Sequence, residues 1–431
     1  MQYGQVAGTM GKNTINNQKK KLAKLRKKNA AKQNLGSLSI KDLLRHAQEQ
    51  IDIFQYDKAQ KFCQEALKRD ADNVAALEIS ASLCLEVGNL EGAQHCLGRA
   101  ITLKPEEGYE KYMSMAQLLN GKESLQCYQK GIELLTKVIS DLQQSVKENK
   151  EVHSENNLTD VSVQEEMGTE QCESQDENKE TSLTRVTRTK NEPIPSCSSV
   201  EERQSSFLQD LSSAHCSIAE LYMTDLCDEE DAENLCHASI ASAIEVDPSN
   251  PEAYQHMASF FLVKQDVDEA KVHILKSVKL WLPKYKEVDE GKAAAGTFDP
   301  VEVCPLSYTT RLNTARILIE VEDYENAVEV LEGLLEENNE IVDTWYLLGW
   351  TSYLQGGEHM DSAKYYLHQA MKVHNTAGSA DVQLIEHVKE LTQKLGPYTE
   401  DESVNEAEIE DELERHLDEG LIQEDEQMDT N

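Results

Sequence analysis

The fold is decided by two stretches of sequence, FQYDKAQKFCQEALKRDADN (residues 54–73) and EVGNLEGAQHCLGRAITLKPEE (residues 86–107). When the two are aligned, small residues recur 34 positions apart, as Ala59 and Ala93 do. Self-similarity at a fixed period of about 20 to 50 residues is the signature of repeat architectures. Small residues at fixed places let two helices approach closely. The sequence therefore predicts stacked helical hairpins.

This unit resembles the tetratricopeptide repeat, a helix–turn–helix of about 34 residues. Five further copies begin near Met115, Ile218, Pro251, Tyr308 and Asp343, which makes seven in all. A final amphipathic stretch, residues 380–395, predicts the capping helix that solenoids need for solubility. We therefore predict an all-α fold, a right-handed superhelical solenoid of tetratricopeptide repeats.

Charge is distributed unevenly over the 431 residues, whose net charge is −37. Residues 1–41 hold ten basic residues and no acid, whereas residues 398–431 hold fifteen acids and one arginine. Residues 141–205 hold fifteen acids and no aromatic residue, a composition that is typical of disorder. The remaining chain still carries −25. These shifts predict a basic disordered arm (1–37), N-terminal repeats (38–140), a disordered acidic insert (141–205), C-terminal repeats with the capping helix (206–397) and a disordered acidic tail (398–431).

The sequence offers little for catalysis. No H-E-x-x-H or G-x-S-x-G motif occurs, and the glycines near Lys12 lack the strand and the spacing of a phosphate-binding loop. None of the ten cysteines forms a C-x-x-C pair, so we expect buried thiols and neither a metal site nor a cofactor. No apolar run reaches the length of a membrane span, and the first twenty residues lack a signal-peptide core. We expect an intracellular binding protein, not an enzyme.

The first helix of each tetratricopeptide repeat lines the concave face, so its variable positions are the candidate binding residues. A wall of one charge sign recruits a ligand of the opposite sign, which predicts a basic polypeptide. The competing interpretation is that these acids only keep the protein soluble. The candidate residues are Asp52, Glu78, Glu86, Glu220, Glu252, Glu320 and Asp343, with Trp350 adding apolar contact.

A heat-shock chaperone tail and RNA are two alternatives to a basic polypeptide as the partner. A co-chaperone clamp for a heat-shock chaperone tail needs basic residues, but Leu44, Gln48 and Glu78 stand at the equivalent positions. The lysine- and arginine-rich arm is typical of a nuclear-import signal or of the RNA-binding tail of an RNA-associated adaptor. The arm has no aromatic residues for base stacking, which favours the import signal. The bases expected to form the import signal are Lys19, Lys20, Lys21, Arg26, Lys27 and Lys28.

A closer resemblance is carried by VDPSNPEAYQHMASFFLVKQDVDEA (residues 246–270) and by a run ending in VDTWYLLGW at residue 350. The chain resembles the tetratricopeptide-repeat assembly chaperones of large-subunit ribosomal protein four. The resemblance implies an acidic inner surface that holds the basic internal loop of that ribosomal protein. It also implies escort of the client from the cytoplasm to the nucleus. We further expect one chaperone per client and an import receptor as a second partner; neither a membrane nor direct nucleic-acid binding is expected.

Overall fold

The computed structural model describes residues 38–156, 197–289, 304–377, 381–396 and 398. The predicted basic arm, the middle of the predicted insert and the acidic tail beyond Tyr398 therefore lie outside the described residues. The chain divides into two compact units, Met1–Asp247 and Pro248–Asn431, called here the N-terminal and C-terminal units. Every regular element in the described ranges is helical.

Among its described residues the N-terminal unit contains four helix pairs, and the two helices of each pair pack against each other. Successive pairs are also in contact, so that each pair stacks on the next one. Its helices are α1 (Ile40–Asp52), α2 (Tyr56–Arg69), α3 (Val74–Glu86), α4 (Leu90–Leu103), α5 (Glu110–Ala116), α6 (Gly121–Asn156), α7 (Cys197–Met223) and α8 (Ala232–Val246).

The C-terminal unit adds three helix pairs and one closing helix. The described residues therefore contain seven helix pairs, the number that the repeats predict. Its helices are α9 (Pro251–Val263), α10 (Val267–Asp289), α11 (Tyr308–Glu320), α12 (Tyr324–Glu337), α13 (Val342–Gln355), α14 (Met360–Ala377) and α15 (Val382–Leu395). The closing helix α15 packs on α14 and α13, as expected of a cap, and Gly396 ends it with φ +84°.

Small residues hold the helices of a pair together, as the repeat spacing predicts. Ala59, Ala66, Ala93 and Ala100 are all fully buried. An alanine at such a point leaves room for the neighbouring helix to approach closely. Polar side chains fix where the helices begin; Asn73, for example, accepts a hydrogen bond from the backbone N–H of Ala76 at 3.0 Å. The predicted packing of these repeats is confirmed.

The structure differs from the predicted insert at both of its ends. Helix α6 continues through Asn156, and α7 already begins at Cys197. Residues 141–156 contain no proline or glycine and are rich in Gln, Lys and Glu, which are good helix formers, so nothing ends α6 at residue 140. The two helices that flank the insert pack on each other within the N-terminal unit. The boundary between the units therefore lies at residue 247, not at the insert.

Gly349 of α13 lies where that helix packs closely against Leu367 of α14. A Cβ atom at this position would lie 2.8 Å from Leu367 Cγ and 3.2 Å from the Leu367 backbone nitrogen. Gly349→Val is therefore expected to lower the free energy of unfolding by about 1–3 kcal/mol through overpacking. Urea denaturation measures this change. The control is Gly98→Ala, whose Cβ would make an ordinary 3.5 Å contact with Met115 Cε; it should raise stability by up to about 1 kcal/mol. Destabilisation by both variants would contradict this account.

Candidate functional site

All eight candidate residues lie on the first helix of their pair, as predicted. In the N-terminal unit α1 and α3 are in contact, and in the C-terminal unit α9 contacts α11 and α11 contacts α13. First helices thus form a continuous layer within each of these sets. The placement is Asp52 on α1, Glu78 and Glu86 on α3, Glu220 on α7, Glu252 on α9, Glu320 on α11, and Asp343 and Trp350 on α13.

Three of the acids occupy the last residue of a first helix: Asp52, Glu86 and Glu320. All three side chains are exposed. A negative charge is unfavourable there, because the carboxyl end of a helix already carries partial negative charge, at a cost of about 0.3–1 kcal/mol for each residue. These acids therefore do not stabilise the helices that carry them. Their position favours a role in binding.

Local hydrogen bonds orient two of these carboxylates without covering them. Asp52 accepts a bond from Gln48 Nε2 at 3.0 Å, and Glu86 accepts one from the Tyr56 hydroxyl at 3.1 Å. The second bond joins the first helix pair to the next one. Glu220 is also exposed near the end of α7, where its charge contributes with burial to a raised pKa of Tyr128.

Glu78 differs from the other acids because it is half-buried beside Lys111 of α5. Lys111 is only 2% exposed, and its Nζ donates to the Lys104 backbone carbonyl at 2.6 Å. Burial raises the pKa of Glu78 and lowers the pKa of Lys111, and in each case the opposite charge of the other residue counteracts the shift. This carboxylate already interacts with a lysine of the next helix pair, so reversing its charge would disturb folding as well as binding.

In the C-terminal unit Asp343 is also paired. Arg316 of α11 donates to Asp343 Oδ1 at 2.7 Å. Glu252 is half-buried in the first turn of α9, where its backbone N–H bonds to Asn250 Oδ1 at 2.9 Å. Glu320 is the exposed candidate acid of this unit.

Trp350 belongs mainly to the packing between α13 and α15. Its ring stacks on Tyr353 with centroids 5.6 Å apart and meets the edge of His387 at 4.9 Å. The Tyr346 hydroxyl and His387 Nδ1 are hydrogen-bonded at 2.8 Å, which holds the His387 ring in this cluster. Only part of the Trp350 ring remains accessible for the predicted apolar contact.

The sequence interpretation missed a set of exposed apolar side chains at the turns between α1 and α2 and between α3 and α4. They are Ile53, Phe54, Val87 and Leu90. One signal was available, because Phe54 stands 34 residues before Gly88 and thus at the equivalent place in the repeat.

Of the eight cysteines whose side chains the structure describes, three are buried as predicted, four are partly buried and Cys227 is exposed. Cys63, Cys216 and Cys236 are buried, and burial raises the pKa of Cys63 and Cys236 to about 11, so both remain protonated at neutral pH. Within the described ranges, no group of three or more His, Cys, Asp or Glu side chains comes together as a metal site would require. In those same ranges, no helix is long and apolar enough to cross a membrane.

The chain is similar in sequence to two known proteins. The chain is 28% identical over 384 residues to the probable assembly chaperone of rpl4 from Schizosaccharomyces pombe, covering 84% of this chain and 92% of the relative. The predicted family resemblance is confirmed. A second relative of the same name, from Emericella nidulans, is 28% identical over 204 residues, which cover 42% of this chain and half of that protein. No family profile matches the chain.

A solved structure supports the fold independently. The assembly chaperone of RpL4 (Acl4), residues 1–338, superposes with a TM-score of 0.57 at 23% identity, covering 76% of this chain and all of that one. The all-α solenoid class predicted from the sequence is thereby confirmed.

Proposed function

We propose that this chain is a dedicated chaperone that binds and shields a newly made basic ribosomal protein of the rpl4 type. The observation that carries the proposal is similarity over 92% of a relative named as a probable assembly chaperone of rpl4. That similarity spans most of both proteins. The chain would act by stoichiometric holding, as a monomer in a one-to-one complex, and not as an enzyme.

The electrostatics of the first helices support a basic client. Exposed acids stand at the carboxyl ends of α1, α3 and α11, where they oppose the helix dipole. A surface of one sign raises the local concentration of an oppositely charged segment and speeds its association. A ribosomal protein segment that binds RNA carries such positive charge. Ribosomal RNA would later compete for the same basic residues and release the client.

Escort to the nucleus is a further part of the proposal. The arm bases Lys19, Lys20, Lys21, Arg26, Lys27 and Lys28 form a run of the kind that import receptors recognise. The complex would thus carry its client from the cytoplasm into the nucleus for assembly of the large ribosomal subunit.

The proposal is tested by identifying what co-purifies with the tagged full chain from cells. The expected result is one dominant basic large-subunit ribosomal protein, which moderate salt releases because exposed ionic contacts are screened. Recovery of a heat-shock chaperone, or of RNA that nuclease removes, would contradict the proposal and support a co-chaperone or an RNA-associated adaptor. The control is the same purification at high salt throughout.

A further inference from the structure

Four turns within helix pairs share one backbone geometry. In each, the second residue after the first helix adopts a left-handed conformation, with φ between 56° and 72°. In the first turn the N–H of Phe54 bonds to Ile51 O at 2.8 Å and the next N–H bonds to Gln50 O at 2.7 Å. This pair of bonds is the Schellman motif that ends many helices. The left-handed residues are Phe54, Gly88, Gln265 and Glu322.

Phe54 is the anomaly among these four residues. Glycine adopts the left-handed region freely, whereas a bulky residue is strained there. The Phe54 ring gains little from this position, because 77% of it is exposed. The backbone is thus strained at a residue that also leaves an aromatic ring in water. Neither the folding of the turn nor the core requires phenylalanine.

The ring is part of a larger apolar surface on the N-terminal unit. Ile53 is 56% exposed, and in the next turn Val87 is 54% and Leu90 57% exposed. Tyr56 connects the two turns, since its ring lies 6.3 Å from that of Phe54 and its hydroxyl bonds to Glu86. We call Ile53, Phe54, Val87 and Leu90 the turn patch.

Charges around the turn patch restrict what can cover it. Residues 52–58 and 86–91 contain four exposed acids and one base, Lys58. A second copy of the chain would bring the same acids against these, and the acidic tail would be repelled likewise. The occupant should therefore combine apolar side chains with positive charge.

We propose that the turn patch binds the chain's own basic arm, residues 19–32, with the sequence KKKLAKLRKKNAAK. The arm supplies Leu22 and Leu25 for the patch and eight bases for its acidic rim. These leucines are three residues apart, so a helical arm would present both on one face. Apolar side chains flanked by lysine and arginine are what the patch and its rim require.

The arm is also close enough to reach the patch. The patch lies at the far end of α1, whose 13 residues span about 20 Å. The seven residues between the arm and α1 span up to about 25 Å when extended. A tether this short gives the arm a high effective concentration at the patch. Docking would cover the bases of the predicted import signal.

This contact also connects the arm to the client, in a step that rests on the proposed function. Asp52 and Glu86 lie on the rim of the patch and among the candidate client-binding acids. A basic client that pairs with these acids would compete with the arm. Loading of the client would then expose the import signal.

The test is limited trypsin digestion of the full chain without client, followed by mass spectrometry of cleavage within residues 19–28. Phe54→Gly is expected to speed this cleavage at least about tenfold, because it removes the ring that anchors the arm while easing the turn. The matched control is Glu322→Gly, which eases an equivalent turn in the C-terminal unit and should leave arm cleavage unchanged. Leu22→Asp combined with Leu25→Asp should reproduce the effect of Phe54→Gly from the other side of the contact.

Equal cleavage of the wild type and Phe54→Gly would overturn the proposal. So would a change in molar mass by light scattering, from a dimeric wild type to a monomeric Phe54→Gly, since the patch would then join two copies. Because no client is present, failure here leaves the co-purification result unaffected. Conversely, a protected arm in a chain that binds no ribosomal protein would refute only the proposed function.

Discussion

Arg311→Met is expected to lower the free energy of unfolding of the C-terminal unit by about 1.5–3 kcal/mol. Arg311 is only 2% exposed and donates to Glu337 Oε2 at 2.6 Å. Its guanidinium also lies 5.9 Å from the ring centroids of Tyr285 and Tyr308. Removing this charge leaves the partly buried Glu337 carboxylate without its cation. Because Glu337 remains in contact with solvent, the loss corresponds to one charge-assisted hydrogen bond made by a buried donor.

Tryptophan fluorescence during urea denaturation measures this effect selectively. The chain's three tryptophans, Trp281, Trp345 and Trp350, all lie in the C-terminal unit, so their emission follows that unit. The matched control is Arg316→Met on the same helix, because Arg316 makes an exposed pair with Asp343 and such pairs contribute at most about 1 kcal/mol. Equal losses of unfolding free energy for the two variants would show that the contribution of Arg311 to stability does not depend on its burial.

The second large effect concerns binding. The triple variant Asp52→Lys, Glu86→Lys and Glu320→Lys is expected to weaken the affinity for the ribosomal client at least about 100-fold, or about 3 kcal/mol. Each change replaces attraction of a basic segment by repulsion. The fold should not suffer, because a lysine at the end of a helix interacts favourably with its dipole. Glu78 is left unchanged, since its electrostatic interaction with the buried Lys111 would confound the result.

A control triple variant separates surface position from net charge. Glu245→Lys, Glu287→Lys and Glu325→Lys alter the net charge equally, but these exposed acids lie on the second helices α8, α10 and α12. Client affinity should fall much less in this control. Titration calorimetry of both variants gives the comparison. Equal loss in the two would mean that overall charge, and not the first-helix surface, attracts the client.

The sequence predicts the repeats well because their spacing is a local property. Ala59 and Ala93 mark the helix contacts, and Pro105 follows the end of α4 at Leu103. The extent of α6 was missed, because an acidic, aromatic-free stretch that is typical of disorder also contains strong helix formers. Composition alone does not decide between those two outcomes.

The candidate site was predicted less completely, since pairing depends on contacts between repeats. Lys111 lies 33 residues after Glu78, and Arg316 lies 27 residues before Asp343. Nothing in the sequence shows that Glu78 interacts with Lys111 or that Asp343 pairs with Arg316. Phe54 was not predicted to be exposed for a different reason. A phenylalanine next to an amphipathic helix is typical of the core, and its exposure follows from the left-handed turn, which the structure shows. The helix that carries each candidate residue was predictable from the sequence, whereas the side chains that interact with these residues were not.

Binding of a basic client by exposed acids can be measured by titrating the purified full chain with a purified ribosomal protein of the rpl4 type at low and high salt. We expect a one-to-one complex whose affinity falls at least about tenfold as salt rises from about 0.1 to 0.5 M, because exposed charge pairs are screened. Absence of a complex at low salt, or an affinity that does not change with salt, would contradict it.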